Sequence, residues 1–263
     1  MSQPLIVVPT YVRSPDDLQL TLEMMESLRR TAPEAPVLLV DDASPASELV
    51  DEIGSASSRL QMELVRKDVN EGFARTVNVG LRRARDTGLD AVLVNADMEF
   101  IDQGWLDRMV AQENEDGGPA AVVGGLLLYP KGLIQHAGIF FSLLHRTFGH
   151  IYQYAPQDLP EAQYARRCPV TGALQFIRHE ALVEVGLYDE DFRMGFEDVD
   201  YCIRTFLSGR ECVYQPRVRA YHYESMFRGR PSKKLADWQA QSWWTFMRKY
   251  QTTNFAEWVP SLV

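Results

Sequence analysis

Short apolar runs and longer amphipathic stretches alternate through the first hundred residues. "LIVVP" (5–9) is a continuous apolar run, "DDLQLTLEMMESLRRTA" (16–32) spaces its apolar residues as a helix does, and "VLLVDDAS" (37–44) is a branched run ending in acids. "MELVRK", the helix-like "EGFARTVNVGLRRARDTG" and "DAVLVNAD" (90–97) continue the alternation. Uninterrupted apolar runs mark parallel strands buried on both faces, and the amphipathic stretches supply the crossover helices that parallel connections require. The pattern predicts an α/β chain whose first half, four strands with three helices, is a Rossmann-like nucleotide-binding unit. Ligands of such sheets lie beyond the carboxyl ends of the strands, which here read "PT", "DDAS" and "NADME".

The second half is less regular. "AAVVGGLLLY" (120–129), "LIQHAGIFFSLL" (133–144), "CPVTGALQFI", "ECVYQP" and "VRAYHYE" read as strands, while 145–168, rich in His, Tyr, Gln and Pro, reads as a surface loop. "RHEALVEVG" is a short helix closed by Gly186, the acidic "GFEDVDYCIR" (195–204) opens another, and "SKKLADWQAQSWWTFMRKY" is the last. No repeat, low-complexity segment or linker interrupts the chain. It reads as one domain over 1–263, with a nucleotide-binding half at 1–100, a smaller catalytic half at 101–230, and a helix and tail at 231–263.

Charge and cysteine count narrow the class. A net charge of -9 argues against a nucleic-acid partner, which would need a basic face. Cys168, Cys202 and Cys212 are an odd number without CxxC spacing, so neither a disulfide framework nor a zinc site is expected, and a reducing cytoplasm fits best. "LIVVP" is too short for a signal-peptide core, and no stretch approaches the roughly 20 apolar residues of a membrane span. The expectation is a soluble chain, with any membrane contact peripheral, at the inner face.

The acids carry the candidate chemistry. Asp41 and Asp42 in "VDDAS" are explained equally by a turn with Ser44 capping a helix and by one Asp accepting the imide N–H of a uracil or thymine base. In "NADME", Asp97 and Glu99 flank Met98; the segment reads either as a plain acidic turn or as two carboxylates bending into a loop to share a hard divalent cation and a diphosphate. His222, between Tyr221 and Tyr223, is a packing residue unless the fold carries it to Asp97. Asp200 and Arg204, four apart, form a helix-face pair, which leaves Glu197 and Asp198 for chemistry.

Taken in order, "VVPTY", "DDAS", "NEGFARTVNVGL", "NADMEFIDQGWL", "GLIQHAGIFF", "VTGALQFIRHEALVEVGLYDEDF", "GFEDVDYCIR" and "YHYESMFRG" resemble the GT-A fold family 2 glycosyltransferases, and within them the rhamnosyltransferase-like, O-antigen type branch. The resemblance runs to about residue 230. It implies a Rossmann-like, mostly parallel sheet flanked by helices with a smaller acceptor-side second half. Pro9, Tyr11 and Asp42 would line the base and ribose, with Asp41 the less direct contact. "NAD" takes the place of the family's DxD motif: Asp97 matches its metal-binding acid, Asn95 replaces the other, and Glu99 is a further ligand or water holder. His222 matches the histidine that completes the metal and diphosphate site, Asp198 the catalytic base, and Glu197 a residue that binds acceptor hydroxyls or orients that base.

The activity so implied is transfer of a sugar, with inversion, from a UDP- or dTDP-sugar to the hydroxyl of a glycan, lipid-linked or other acceptor, assisted by Mn²⁺ or Mg²⁺. Arg75 and Arg228 are candidate phosphate partners and equally plain surface arginines. His136 matches the family without an assigned role, and His145 and His150 lie in the loop where sugars would sit. On the last helix Leu235, Trp243, Phe246 and Tyr250 share one arc with Trp238 at its edge, whereas Trp244 points the other way, where an exposed Trp could contact a lipid-linked acceptor, a sugar or a second subunit. Lys233, Lys234, Arg248 and Lys249 are the basic residues near it for a peripheral membrane contact. Two other readings share the scaffold: a catalytically silent nucleotide-sugar or glycan binding protein, and a sugar nucleotidylyltransferase, for which the first strand lacks a glycine-rich phosphate loop.

Overall fold

The apolar runs of the first half form parallel strands. In the computed structural model, which describes residues 3–223, 233–254 and 259–262, the chain begins β1 (Leu5–Thr10), α1 (Pro15–Thr31), β2 (Val37–Asp41), α2 (Ser47–Arg59), β3 (Glu63–Arg66), α3 (Phe73–Thr87) and β4 (Ala91–Val94). β1 pairs in parallel with both β2 and β4, and β2 with β3. Arg228 lies outside the described residues, as do the side chains of Lys234 and Leu235.

Each helix carries its own boundary signals. Ser14 caps α1 by accepting from Asp17 N at 3.2 Å, Pro15 opens it, Asp16 and Asp17 fill its first turn, and Arg29 and Arg30 its last. Gly80 lets α3 lie directly on β1, because a Cβ at that position would come 2.4 Å from the Val7 methyls. Strand residues alternate between two cores, one on each face. Ile6, Val8 and Leu39 pack with Met24, Met25 and Leu28 of α1 on one side, and Val7, Leu38 and Val40 pack with Val77 and Leu81 of α3 on the other.

The second half extends the same sheet. Its elements are β5 (Met98–Phe100), α4 (Trp105–Val110), β6 (Val122–Leu128), β7 (Ile134–His136), β8 (Ile139–Ser142), β9 (Thr147–His150), β10 (Arg166–Arg167), β11 (Leu174–Ile177), α5 (His179–Glu184), α6 (Glu197–Leu207), β12 (Cys212–His222), α7 (Lys233–Lys249) and β13 (Ser261–Leu262). The large sheet runs β10-β12-β6-β11-β4-β1-β2-β3, with β5 on β12 and β7 on β6; β13, β8 and β9 form a small second sheet. β11 is antiparallel to both β4 and β6, and through it the second half is joined to the first.

Several segments differ from the sequence reading. The run 133–144 is two strands, because Ala137–Gly138 turns the chain with Gly138 at φ 106°. The expected loop 145–168 contains β9 and β10. The two strands expected around Pro216 are one, β12, whose pairing with β6 shifts register between Gln215 and Arg219. That irregularity accommodates a proline without a ladder donor. Ser44 does not cap α2, which starts at Ser47; its hydroxyl bonds Asp41 instead.

Phe246 and Tyr250 are buried against Phe192, Val199 and Ile203 and dock α7 on α6, as the helical arc predicts. Trp243 is half-buried, Trp238 stacks under Arg193 at 4.3 Å, and Trp244 is 67% exposed. No described helix is long and apolar enough to cross a membrane.

Candidate active site

The acids gather along the carboxyl edge of the sheet. β1 and β2 are neighbours, and Asp42 N donates to Thr10 O at 2.9 Å, so the half-buried Pro9, the exposed Tyr11 and the aspartate pair share one end. Asp41 is fully buried, accepting from the hydroxyl of Ser44 and, on Oδ2, from Ser44 N at 3.2 Å and Arg66 Nε at 3.4 Å. Ser44 Oγ in turn accepts from Val12 N at 2.7 Å. Asp41 therefore stitches the β1 and β2 ends together.

Asp42 holds the next loop. Its Oδ1 accepts from Lys67 Nζ at 2.7 Å and Glu71 N at 3.0 Å, and its Oδ2 from Gly72 N at 2.9 Å. Gly72 starts α3 at φ 92°, and a Cβ there would meet Arg193 O at 2.9 Å, so glycine is required for this close approach. Lys67 also pairs with Glu71 at 3.0 Å, and Lys67, followed by Arg75, holds the Glu71 carboxyl below its ordinary pKa. Arg75 is half-exposed and pairs with Glu71 at 3.2 Å and Glu190 at 3.6 Å. Beside these residues Ala43, Ser44, Arg66, Lys67 and Asp68 line a pocket of about 480 Å³. Another hollow, of about 330 Å³ and lined by Leu5, Pro36, Glu63 and Arg83 among others, lies at the amino ends of the strands, away from the acids.

Past β4 the chain turns through Asn95, Ala96 and Asp97 into β5, and β5 pairs antiparallel with the end of β12, placing Met98 opposite His222 and Glu99 opposite Tyr221. This pairing brings His222 Nε2 to 3.2 Å from Asp97 Oδ1 and 3.3 Å from Asn95 Nδ2. Asp97 is 4% and His222 5% exposed. The loop expected at "NADME" is thus partly strand, because Met98 and Phe100 are drawn into the core. Glu99 turns to Tyr223, whose hydroxyl donates to it at 2.9 Å; burial and then this bond push the phenol up to about 12. Among the described residues no three His, Cys, Asp or Glu side chains cluster as a metal set, so Glu99 does not join Asp97 and His222.

Asp198 sits half-buried in the first turn of α6, next to the 8%-exposed Glu197. The chain enters this helix through two left-handed residues, Gly195 at φ 81° and Phe196 at φ 71°. The second is strained for a side chain with a Cβ, and its ring packs against Phe148 and Phe246. The helix start favours the three acids crowded there. Asp198 Oδ2 accepts from Gly172 N at 3.0 Å, and the next residue, Ala173, accepts from Asn95 N at 2.9 Å. One short loop thereby links Asp198 to the Asn95–Asp97 turn. Asp42 reaches the same loop through Gly72 and Phe73, since a Cβ on Gly172 would lie 3.5 Å from the Phe73 ring.

Sequence reasoning singled out neither Gln135, which bonds His222, nor Gly172, nor the Lys67 partner of Asp42. "IQHAG" was a signal for the first; the others emerge only from contacts between distant segments. His136 is fully buried, with Nδ1 2.7 Å from His150 Nδ1 and Nε2 accepting from Gly138 N at 3.3 Å and Thr171 N at 3.4 Å. Burial first, then His150 and His222, depress its pKa well below the usual histidine value. His145 is exposed at the β8–β9 turn.

A Rossmann-like half, an antiparallel strand joining it to a smaller half, and acids at the carboxyl edge together make the GT-A fold. The chain superimposes on the crystal structure of GalNAc-T7 with UDP, GalNAc and Mn²⁺ with a TM-score of 0.66 at 17% identity, over 84% of this chain and 43% of that one. It also superimposes on the mannosyltransferase PcManGT from Pyrobaculum calidifontis in complex with GDP-Man and Mn²⁺, with a TM-score of 0.57 at 18% identity, over 91% and 61%. Residues 5–137, just over half of the chain, match the family described as Glycosyl transferase family 2, and the chain belongs to that family.

Among curated proteins it is 28% identical over 266 residues to the uncharacterized protein y4gI of Sinorhizobium fredii (strain NBRC 101917 / NGR234), covering 96% of this chain and 28% of the relative. It is 29% identical over 153 residues to the O-antigen biosynthesis protein RfbC of Myxococcus xanthus, covering 56% of this chain and 12% of the relative. The chain therefore spans only a minor part of either relative's length.

Proposed function

We propose that this chain transfers a sugar, with inversion, from a nucleoside-diphosphate sugar to an acceptor hydroxyl, with Asp198 as general base. The observation that carries the reading is the Asp97–His222 pair, buried at 3.2 Å on the same edge as Asp198. A carboxylate oxygen and an imidazole nitrogen at that separation are both acceptors and call for a proton or a cation between them. Asn95 Oδ1, beside them, is buried without a hydrogen-bond partner among the described residues. An oxygen-and-nitrogen donor set of this kind suits Mn²⁺ or Mg²⁺, ions that take their remaining ligands from substrate phosphate and water.

Asp97 and His222 would hold the cation. When bound, it supplies a Lewis acid for the charge that grows on the departing diphosphate. Asp198, oriented through Gly172 N, takes the proton from the acceptor hydroxyl, and help of this kind is worth about 10² to 10⁴ in rate. Glu197 binds acceptor hydroxyls or orients that base. Pro9, Tyr11 and Asp42 line a uracil or thymine base and its ribose beside the Arg66–Lys67 pocket, whereas Asp41, fully buried against Ser44 and Arg66, has no surface to offer the base. Arg75 meets phosphate only by leaving Glu71 and Glu190. The likeness to an O-antigen biosynthesis protein supports a glycan as the acceptor.

The test is release of nucleoside diphosphate from UDP-, dTDP- and GDP-sugars with and without Mn²⁺. Metal-dependent turnover with a uridine or thymidine donor, lost in Asp198→Asn, is expected. Full turnover in Asp198→Asn would remove the base assignment. Tight donor binding by the wild type without turnover under any metal would instead favour a silent binding protein.

A further inference from the structure

Gln135, 2% exposed in β7, grips His222 at two points. Its Nε2 lies 3.4 Å from the His222 carbonyl oxygen, and its Oε1 lies 2.7 Å from His222 Nδ1. The backbone carbonyl accepts only, so the amide NH₂ must face it and the amide oxygen must face the ring. That oxygen also accepts only, so Nδ1 is the ring nitrogen that carries the proton. Nε2, on the far side, then presents its lone pair towards Asp97 and Asn95. This is the neutral form of imidazole that binds a cation.

Asp97 favours the opposite arrangement. Its carboxylate, 3.2 Å from Nε2, attracts a proton onto that nitrogen, which would block coordination. Gln135 opposes this, because moving the proton leaves its buried Oε1 facing a second acceptor. We propose that Gln135 is a positioning residue that holds His222 in the Nδ1–H form and so sets the affinity of the Asp97–His222 pair for a divalent cation. The proposal rests on the reading of Asp97 and His222 as cation ligands.

The test titrates Mn²⁺ into the full chain, by calorimetry or by loss of the free-ion electron paramagnetic resonance signal, for wild type, Q135L, Q135E and H222A. Nitrogen-15 NMR of the histidine-labelled, metal-free proteins reads the tautomer. Q135L is expected to bind Mn²⁺ about 10- to 100-fold more weakly and to shift the His222 proton to Nε2. Q135E retains an acceptor for Nδ1 and should restore both. Loss of binding in H222A but wild-type affinity and tautomer in Q135L would overturn the role of Gln135 alone. Wild-type affinity in H222A, or no Mn²⁺ binding by the wild type, would overturn the ligand assignment and this proposal with it. If Q135L fails to fold, the wild-type spectrum still decides, because an Nε2–H His222 in the metal-free protein contradicts the proposal.

Discussion

The Tyr250 hydroxyl donates to Asp200 Oδ1 at 2.6 Å, tying the end of α7 to the helix that carries Asp198. Asp200 is fully buried and also accepts from Arg204 Nε at 2.8 Å and pairs with Lys249 Nζ at 2.7 Å. Asp200 thereby locks α6 in place two positions beyond Asp198. Burial, then Asp200, push the Tyr250 phenol up, which favours the protonated, donating form.

Tyr250→Phe removes a hydrogen bond to a buried charge while Arg204 and Lys249 remain. A loss of about 1.5–3 kcal/mol is expected, seen as a lower urea midpoint with an unchanged slope.

Asp198→Asn should lower kcat by about 10² to 10⁴ and leave donor affinity near the wild-type value, because the amide keeps the shape and loses the basic oxygen. Isothermal titration with the donor nucleotide beside steady-state rates separates the two effects. Comparable loss of binding would move Asp198 out of the base role.

Gly80→Ala tests the α3–β1 contact. Alanine is the better helix former, by about 1 kcal/mol. Here its methyl would lie 2.4 Å from the fully buried Val7, and overpacking of that kind costs about 1–3 kcal/mol. A lower melting temperature is the expected outcome.

Glu71 gives a pH prediction. Its folded pKa is lowered by Lys67 and then Arg75, so its contribution to stability is present above the unfolded carboxylate value of 4.5 and is lost as pH falls through the lowered folded value. Lys67→Met should raise the Glu71 pKa, followed by carboxyl NMR, and flatten the acid limb of the stability curve. It should also loosen the Asp42–Gly72 loop, read as faster amide exchange at Gly72.

The three thiols are free and buried, and Cys168 is pushed up to about 12 by burial. None should react with an aromatic disulfide reagent at pH 8 in the native protein, and all should react in denaturant. Reaction of the folded chain would show that the core around the modified thiol opens to solvent.

Much of this architecture is legible from local pattern. The apolar runs at 5–9, 37–41 and 91–94 are strands because burial on both faces demands continuous hydrophobicity, and α1 announces itself by cap, proline and terminal charges. The Asp200–Arg204 pair follows from spacing on one helix. Glu99 was misleading for a local reason. Two carboxylates flanking Met98 look equivalent in a loop, but burial of Met98 and Phe100 makes β5 a strand, and Glu99 is delivered to Tyr223. Gln135 was illegible because its importance comes from one bond to a residue far along the chain.

The sequence by itself determined the class of fold, the acids at strand ends and the crowding of charge at the start of α6, since each depends on neighbours a few positions apart. Only the tertiary structure decided that His222 meets Asp97, that Gln135 holds the ring, and that Asp198 hangs from Gly172. Those contacts depend on register between strands far apart in the chain, and a one-residue slip in the pairing of β12 with β5 would turn each side chain to the opposite face.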